Sequence, residues 1–225
     1  MRRSSFTGYA MRAALFLTAC VIGLSAPVAQ AQVIILGDTS ATSCYQAAEF
    51  GTMGMRDGFE VCTQALNVPN LSLRDKAGTY VNRAVIRLMA GDYQGALADT
   101  NSSIRMLSSL GEAYVNRGAA LLNLGRPAEA LTDIMTGMQL GTAKEHLVLY
   151  NRAAARELTG DFRGAYYDYR RSAELRPDFL LAKEQLMRFQ VTRREAKAGD
   201  SDDMMRDGMV EEVVALTKLQ DRTSR

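Results

Sequence analysis

Three asparagines, Asn82, Asn116 and Asn151, stand 34 and 35 residues apart, and each is followed at once by an arginine: Arg83, Arg117 or Arg152. An amide side chain both donates and accepts hydrogen bonds. A row of asparagines therefore suits the holding of main chain rather than acid, base or nucleophilic work. The arginines find partners by symmetry. Gly91, Gly125 and Gly160 keep the same 34 and 35 spacing, each arginine precedes its glycine by 8, and Asp99, Asp133 and Asp168 follow by 8. Residues equidistant from the turn of a helical hairpin lie at one height. The spacing predicts the pairs Arg83–Asp99, Arg117–Asp133 and Arg152–Asp168, each guanidinium binding its carboxylate through two hydrogen bonds.

Candidates for catalysis are few. His146 is the single histidine and is expected in a turn between repeats as an exposed loop residue. Metal-ligating, nucleophile-elbow and phosphate-cradling motifs are missing from the sequence, and the remaining carboxylates read as solvated surface charge. No catalysis, cofactor or metal is expected.

The elements that must position the two rows follow from one unit. Ala113 to Leu124 is a run of helix formers without proline, Gly125 breaks it, and Pro127 to Leu140 reads as a second helix. Glycine suits a left-handed helix end and proline a helix start, and a turn this short leaves the two helices antiparallel. A period of 34 is that of a helix-turn-helix repeat.

These residues resemble the tetratricopeptide repeat family. Small residues stand where paired helices touch, at Ala84, Gly118 and Ala153 in the first helices and Ala96, Ala130 and Ala165 in the second. Tyr93 and Phe162 are the aromatics after the turn, with Pro127 in that place in the middle unit, and the terminal proline survives once, as Pro177. The pattern's initial tryptophan is absent. The resemblance covers three units over about residues 77–178, with a degenerate one before them ending near Cys62 to Leu66. It implies an all-α fold of antiparallel helix hairpins stacked into a right-handed superhelix, closed by a C-terminal capping helix.

Such a stack curves, and its first helices line the concave side. In the family, the residues projecting there match Val81, Asn82, Val85, Leu88 and Met89, then Val115, Asn116, Leu122 and Asn123, then Tyr150, Asn151 and Glu157. The asparagine row then either bonds the backbone of an extended peptide or ties neighbouring helices together. The family's carboxylate clamp needs Lys and Arg where this chain has Gly78, Val81, Val85, Glu112 and Leu147. No acidic C-terminal chaperone ligand is expected.

The ends read differently. Arg2, Arg3 and Arg12 precede an apolar run from Ala13 to Ala26, and Ala29-Gln30-Ala31 is a small-x-small cleavage site, so residues 1–31 are expected to be a secretory signal peptide. A mature chain starting at Gln32 would be periplasmic or secreted. Leu17-Thr18-Ala19-Cys20 also matches a lipobox, which makes a lipid anchor at Cys20 the rival reading. Without the leader's three arginines, the 27 basic residues become 24 against 25 acidic ones, which leaves no electrostatic case for nucleic acid. No integral span is expected in the mature chain. Export also predicts a disulfide between Cys44 and Cys62.

The expected organisation is leader 1–31, an N-terminal segment with the degenerate repeat over 32–76, repeats over 77–178, a capping helix over 179–198, and a linker and amphipathic tail over 199–225. Met204 to Leu219 is read as helical from the spacing of Met205, Met209, Val213, Leu216 and Leu219. The chain is expected to bind an unidentified protein or peptide as a scaffold of the bacterial cell envelope, with self-association as the alternative.

Overall fold

The computed structural model describes residues 29–32, 34, 37, 39–51, 54–195, 205–206 and 209–216. The expectations for residues 1–28, Cys20 included, for residues 196–204, the whole 199–203 linker among them, and for residues 217–225, Leu219 included, lie outside the described residues.

Among the described residues nine helices follow in order: α1 (Thr39–Phe50), α2 (Met55–Leu66), α3 (Leu73–Met89), α4 (Tyr93–Met106), α5 (Gly111–Asn123), α6 (Pro127–Leu140), α7 (Glu145–Thr159), α8 (Phe162–Leu175) and α9 (Leu180–Leu186). Each helix packs on the next, which is the solenoid expected from the repeat period. The hairpin turns are set by Gly91, Gly125 and Gly160, with φ of 76°, 73° and 93°. Only glycine adopts that left-handed conformation without a side-chain penalty. Asp92 and Asp161 then cap α4 and α8 by accepting from the Gly95 and Gly164 amides. The middle unit lacks this cap and uses Pro127 in the first turn of α6 instead.

The small residues do the work of close approach. A Cβ on Gly118 would stand 2.6 Å from the Ile134 side chain and 3.1 Å from the Ala130 carbonyl, and Ala84, Ala96, Ala130, Ala153 and Ala165 are wholly buried. Cys44 on α1 and Cys62 on α2 form a disulfide at a Cα separation of 4.6 Å, within a cluster that includes Ala47, Val85 and Ile86. α1 also reaches across to the last unit, where Glu49 pairs with Lys144 at 2.7 Å just before α7.

The C-terminal end departs from the expected helices. The cap begins as α9 but continues as a strand, β1 (Phe189–Glu195), and the tail read as a helix forms β2 (Met205–Arg206) and β3 (Met209–Ala215). The three make one antiparallel sheet in the order β1-β3-β2, with Phe189 opposite Ala215 and Val191 opposite Val213. The physical reason lies in the residues. Val191, Thr192, Val210, Val213 and Val214 are β-branched, a residue class that favours strands. Asp207-Gly208 lies between the paired β2 and β3, and such a dipeptide is a strong two-residue hairpin signal. The cap residues Phe179, Leu181, Leu186 and Phe189 still cover the last repeat, joining Tyr150, Tyr169 and Ala215 in one cluster.

Candidate functional site: the asparagine row of the concave wall

Asn82, Asn116 and Asn151 lie on α3, α5 and α7 and are wholly buried. Each binds one residue of a segment of this same chain through both its groups. Asn82 accepts from the Ile34 amide at 2.7 Å and donates to the Ile34 carbonyl at 2.8 Å. Asn116 treats Gln32 in the same way, at 2.7 and 2.5 Å. Asn151 does so for Gln30, at 2.6 and 2.5 Å. The segment thus runs from the third repeat to the first and is held at alternate residues.

Bonding at alternate residues is the register of an extended chain, in which two residues advance about 6.6 Å. Packed helix axes lie about 8–10 Å apart, so the asparagine tips must converge, as they do on the inner wall of a curved stack. Each amide reproduces the donor and acceptor that a neighbouring β-strand offers. The three therefore serve as one edge of a sheet made from side chains.

The segment fills the groove rather than skirting it. Ile34 packs with Ala41, Ala77, Val81, Leu110 and Ala113, Ala29 packs against the Val115–Leu122 cluster, and Ala31 against that of Val85 and Ile86. Of the residues expected to line the groove, Val81, Val85, Val115 and Leu122 are buried. Leu88, Met89 and Asn123 border an open cavity together with Ala29 to Ala31, Gly91 and Tyr93. The Asn123 side chain donates to the Ala119 carbonyl of its own helix at 2.9 Å.

Two expected groove residues sit elsewhere. Tyr150 packs edge-on against Tyr169 and Phe179 under the cap, and burial pushes its phenol up to about 12. Glu157 faces the cap, accepting from Arg188 at 2.6 Å and from the Tyr169 hydroxyl at 3.2 Å. Burial holds its carboxyl above the ordinary glutamate value, with Arg188 opposing the shift. Both residues occupy the third repeat, where the cap replaces a following unit and takes up positions that would otherwise face the groove. His146 is not a loop residue. It lies in α7, half-buried and edge-on to Phe179, and burial lowers its imidazole pKa.

The arginines point away from the segment. Arg83 donates Nε and Nη2 to Asp99 at 2.9 and 2.7 Å, Arg117 to Asp133 at 2.7 and 2.7 Å, and Arg152 to Asp168 at 2.8 and 2.6 Å. Hydrogen bonding to the aspartate raises the Arg117 and Arg152 pKa values further above their ordinary range. The remaining Nη1 reaches the preceding second helix: Thr63 for Arg83, Asn101 for Arg117 and the Met138 sulfur for Arg152. Sequence reasoning missed this third contact because its separations, 20, 16 and 14, do not repeat. Arg87 and Arg156 add a second cation to Asp99 and Asp168, whereas Leu121 occupies the matching place in the middle unit.

No group of three or more residues among the described ones is placed to hold a metal ion, and no described helix is long and apolar enough to cross a membrane.

The chain is 37% identical over 89 residues to tetratricopeptide repeat protein 36 of Xenopus tropicalis, covering 37% of this chain and 44% of the relative. It is 33% identical over 115 residues to the Bos taurus protein of that name, at 48% and 58%, and 31% over 116 residues to the Homo sapiens one, at 49% and 57%. The chain spans about half the length of the curated relatives it matches. No family model matches it. These similarities support the tetratricopeptide repeat family and, with it, a repeat scaffold for protein interaction.

Proposed function

We propose that this chain is a non-catalytic scaffold of the bacterial cell envelope that holds an extended segment of a partner protein on its asparagine row. The observation that carries the reading is the paired bonding of Asn82, Asn116 and Asn151 to the backbone of Ile34, Gln32 and Gln30. Backbone bonds of this kind accept any extended chain whose side chains fit, which is how strand addition at a sheet edge recognises peptides. Gln32 and Ile34, which stay attached after cleavage, are then the occupant that a partner replaces. Export fits the Cys44–Cys62 disulfide, since such bonds persist in oxidising compartments. Cleavage after Ala31 parts Gln30 from Gln32 and leaves Asn151 to a partner.

The test is capture of envelope proteins by the exported protein and by an Asn82→Ala, Asn116→Ala, Asn151→Ala variant of matched helicity. A partner held by the first and lost by the second is the expected result, and equal capture by both removes the groove from the function. Self-association is the second reading, favoured by the exposed Phe50, Met55 and Met89 at the N-terminal end. Sedimentation at rising concentration distinguishes it, and the mass of the processed N-terminus decides between Gln32 and a lipidated Cys20.

A further inference from the structure

The segment on the asparagine row is poorly matched at its middle rung. Gln32 is 1% exposed, and neither the oxygen nor the nitrogen of its side-chain amide has a hydrogen-bond partner. Its backbone is fully held by Asn116, so the mismatch lies in the side chain alone. A primary amide buried without partners is strongly disfavoured, whereas leucine or methionine of similar size carries no such penalty. Alternate residues of an extended chain share a face, and the next one on that face, Ile34, is apolar, 6% exposed and packed among Val81, Leu110 and Ala113. Two neighbouring places on one face are thus enclosed, and one of them holds a group that belongs in water.

A tethered occupant competes at a high effective concentration. A well-matched one would shut the groove permanently. The unpartnered amide of Gln32 weakens the occupant where it is most deeply enclosed while the backbone bonds keep the groove formed. We infer that the part of this segment carrying Gln32 and Ile34, which stays attached after cleavage, is an exchangeable occupant, and that the groove selects an extended segment of another polypeptide with apolar side chains at the places of both Gln32 and Ile34. This rests on the groove being the binding site, and it names the class of partner: a strand-forming segment with apolar residues at alternate positions.

The test uses the full chain and two end-capped fluorescent peptides, one with the sequence of residues 29–36 and one with leucine in its fourth place. Binding is read by anisotropy. The leucine peptide is expected to bind at least about tenfold more tightly, and Asn116→Ala in the protein to weaken both. Gln32→Leu in the protein should raise the melting temperature and weaken the leucine peptide by about tenfold, because the tethered competitor has improved. Gln32→Met serves if leucine does not fit. Gln32→Glu should lower the melting temperature and strengthen peptide binding.

Equal affinity of the two peptides overturns the inference, as does peptide binding that ignores the residue at position 32. A higher melting temperature with no peptide binding also overturns it, making the segment a fixed strut. None of these results depends on partner capture, so failure of the selectivity and failure of the groove as a site are read separately.

Discussion

Asn116 and Arg117 are adjacent on one helix and repeat with the same period, yet they act over different distances. The arginines close contacts 16 residues away, inside one hairpin, while the asparagines reach segments 48, 84 and 121 residues distant. One row builds the unit and the other uses the array the units make. A repeated residue therefore does not reveal its role by repeating. What separates the two is whether the partner repeats as well: the aspartates do, and Gln30, Gln32 and Ile34 stand two residues apart in a single segment.

The strongest way to break this contrast is to attack the outer row. Asp168 is 6% exposed and faces both Arg152 and Arg156. Asp168→Ala should cost about 3–5 kcal/mol in urea unfolding, because it leaves Arg152 without a carboxylate and Arg156 with Asp161 alone, in a partly buried place. Asp133→Ala, opposite the single Arg117 and 11% exposed, should cost less. Equal costs would show that the second arginine contributes nothing.

Replacing both Cys44 and Cys62 by alanine should cost about 3 kcal/mol by the loop-entropy estimate for a closure of 18 residues. Fast hydrogen exchange is expected to spread through α1 and α2 and to spare the Arg152–Asp168 hairpin. Spread into α7 and α8 would mean that the N-terminal clamp governs the whole stack.

The inner row sharpens the contrast. Asn116→Ala leaves the Gln32 amide and carbonyl without their partner and should cost about 1–3 kcal/mol. Exchange of the Gln32 amide should quicken while amides within α5 stay protected. If α5 loosens equally, the asparagines are scaffold.

The smallest effect belongs to Glu157. Its carboxyl is raised above the ordinary value of 4.5, chiefly by burial, so the native state holds that proton more tightly than the unfolded one. Its contribution to stability is therefore full below 4.5 and declines as pH rises through the raised value. Glu157→Gln should flatten that part of the stability–pH curve, and an unchanged slope would assign it to other groups.

The repeats were legible because every cue was local and periodic: a left-handed glycine at each turn, small residues where helices touch, and Arg and Asp equidistant from the turn. The occupant of the asparagine row is not legible in the same way, since its residues carry the marks of a leader's end and a mature start, and nothing in Asn82, Asn116 or Asn151 points to a segment so far away in sequence. The cap went astray for another reason. Spacings of three and four between Met205, Met209, Val213 and Leu216 suggested a helix, but four β-branched residues in Val191, Val210, Val213 and Val214 and the Asp207-Gly208 pair favoured a hairpin. Tyr150 and Glu157 matched groove positions by repeat, and only the cap turned them to other work.

The long reach of the inner row bears on how quickly the molecule assembles. Helical hairpins close through short loops and form fast, whereas pairings distant in sequence form slowly. The segment carrying Gln30, Gln32 and Ile34 emerges before the helices in synthesis, but its anchors on α3, α5 and α7 are completed one after another, Asn151 last. The hairpins can thus reach their native curvature while the groove is still empty. Refolding followed by far-ultraviolet dichroism should finish before burial of a probe attached near Ala31, and that interval is when a competing strand meets no resident.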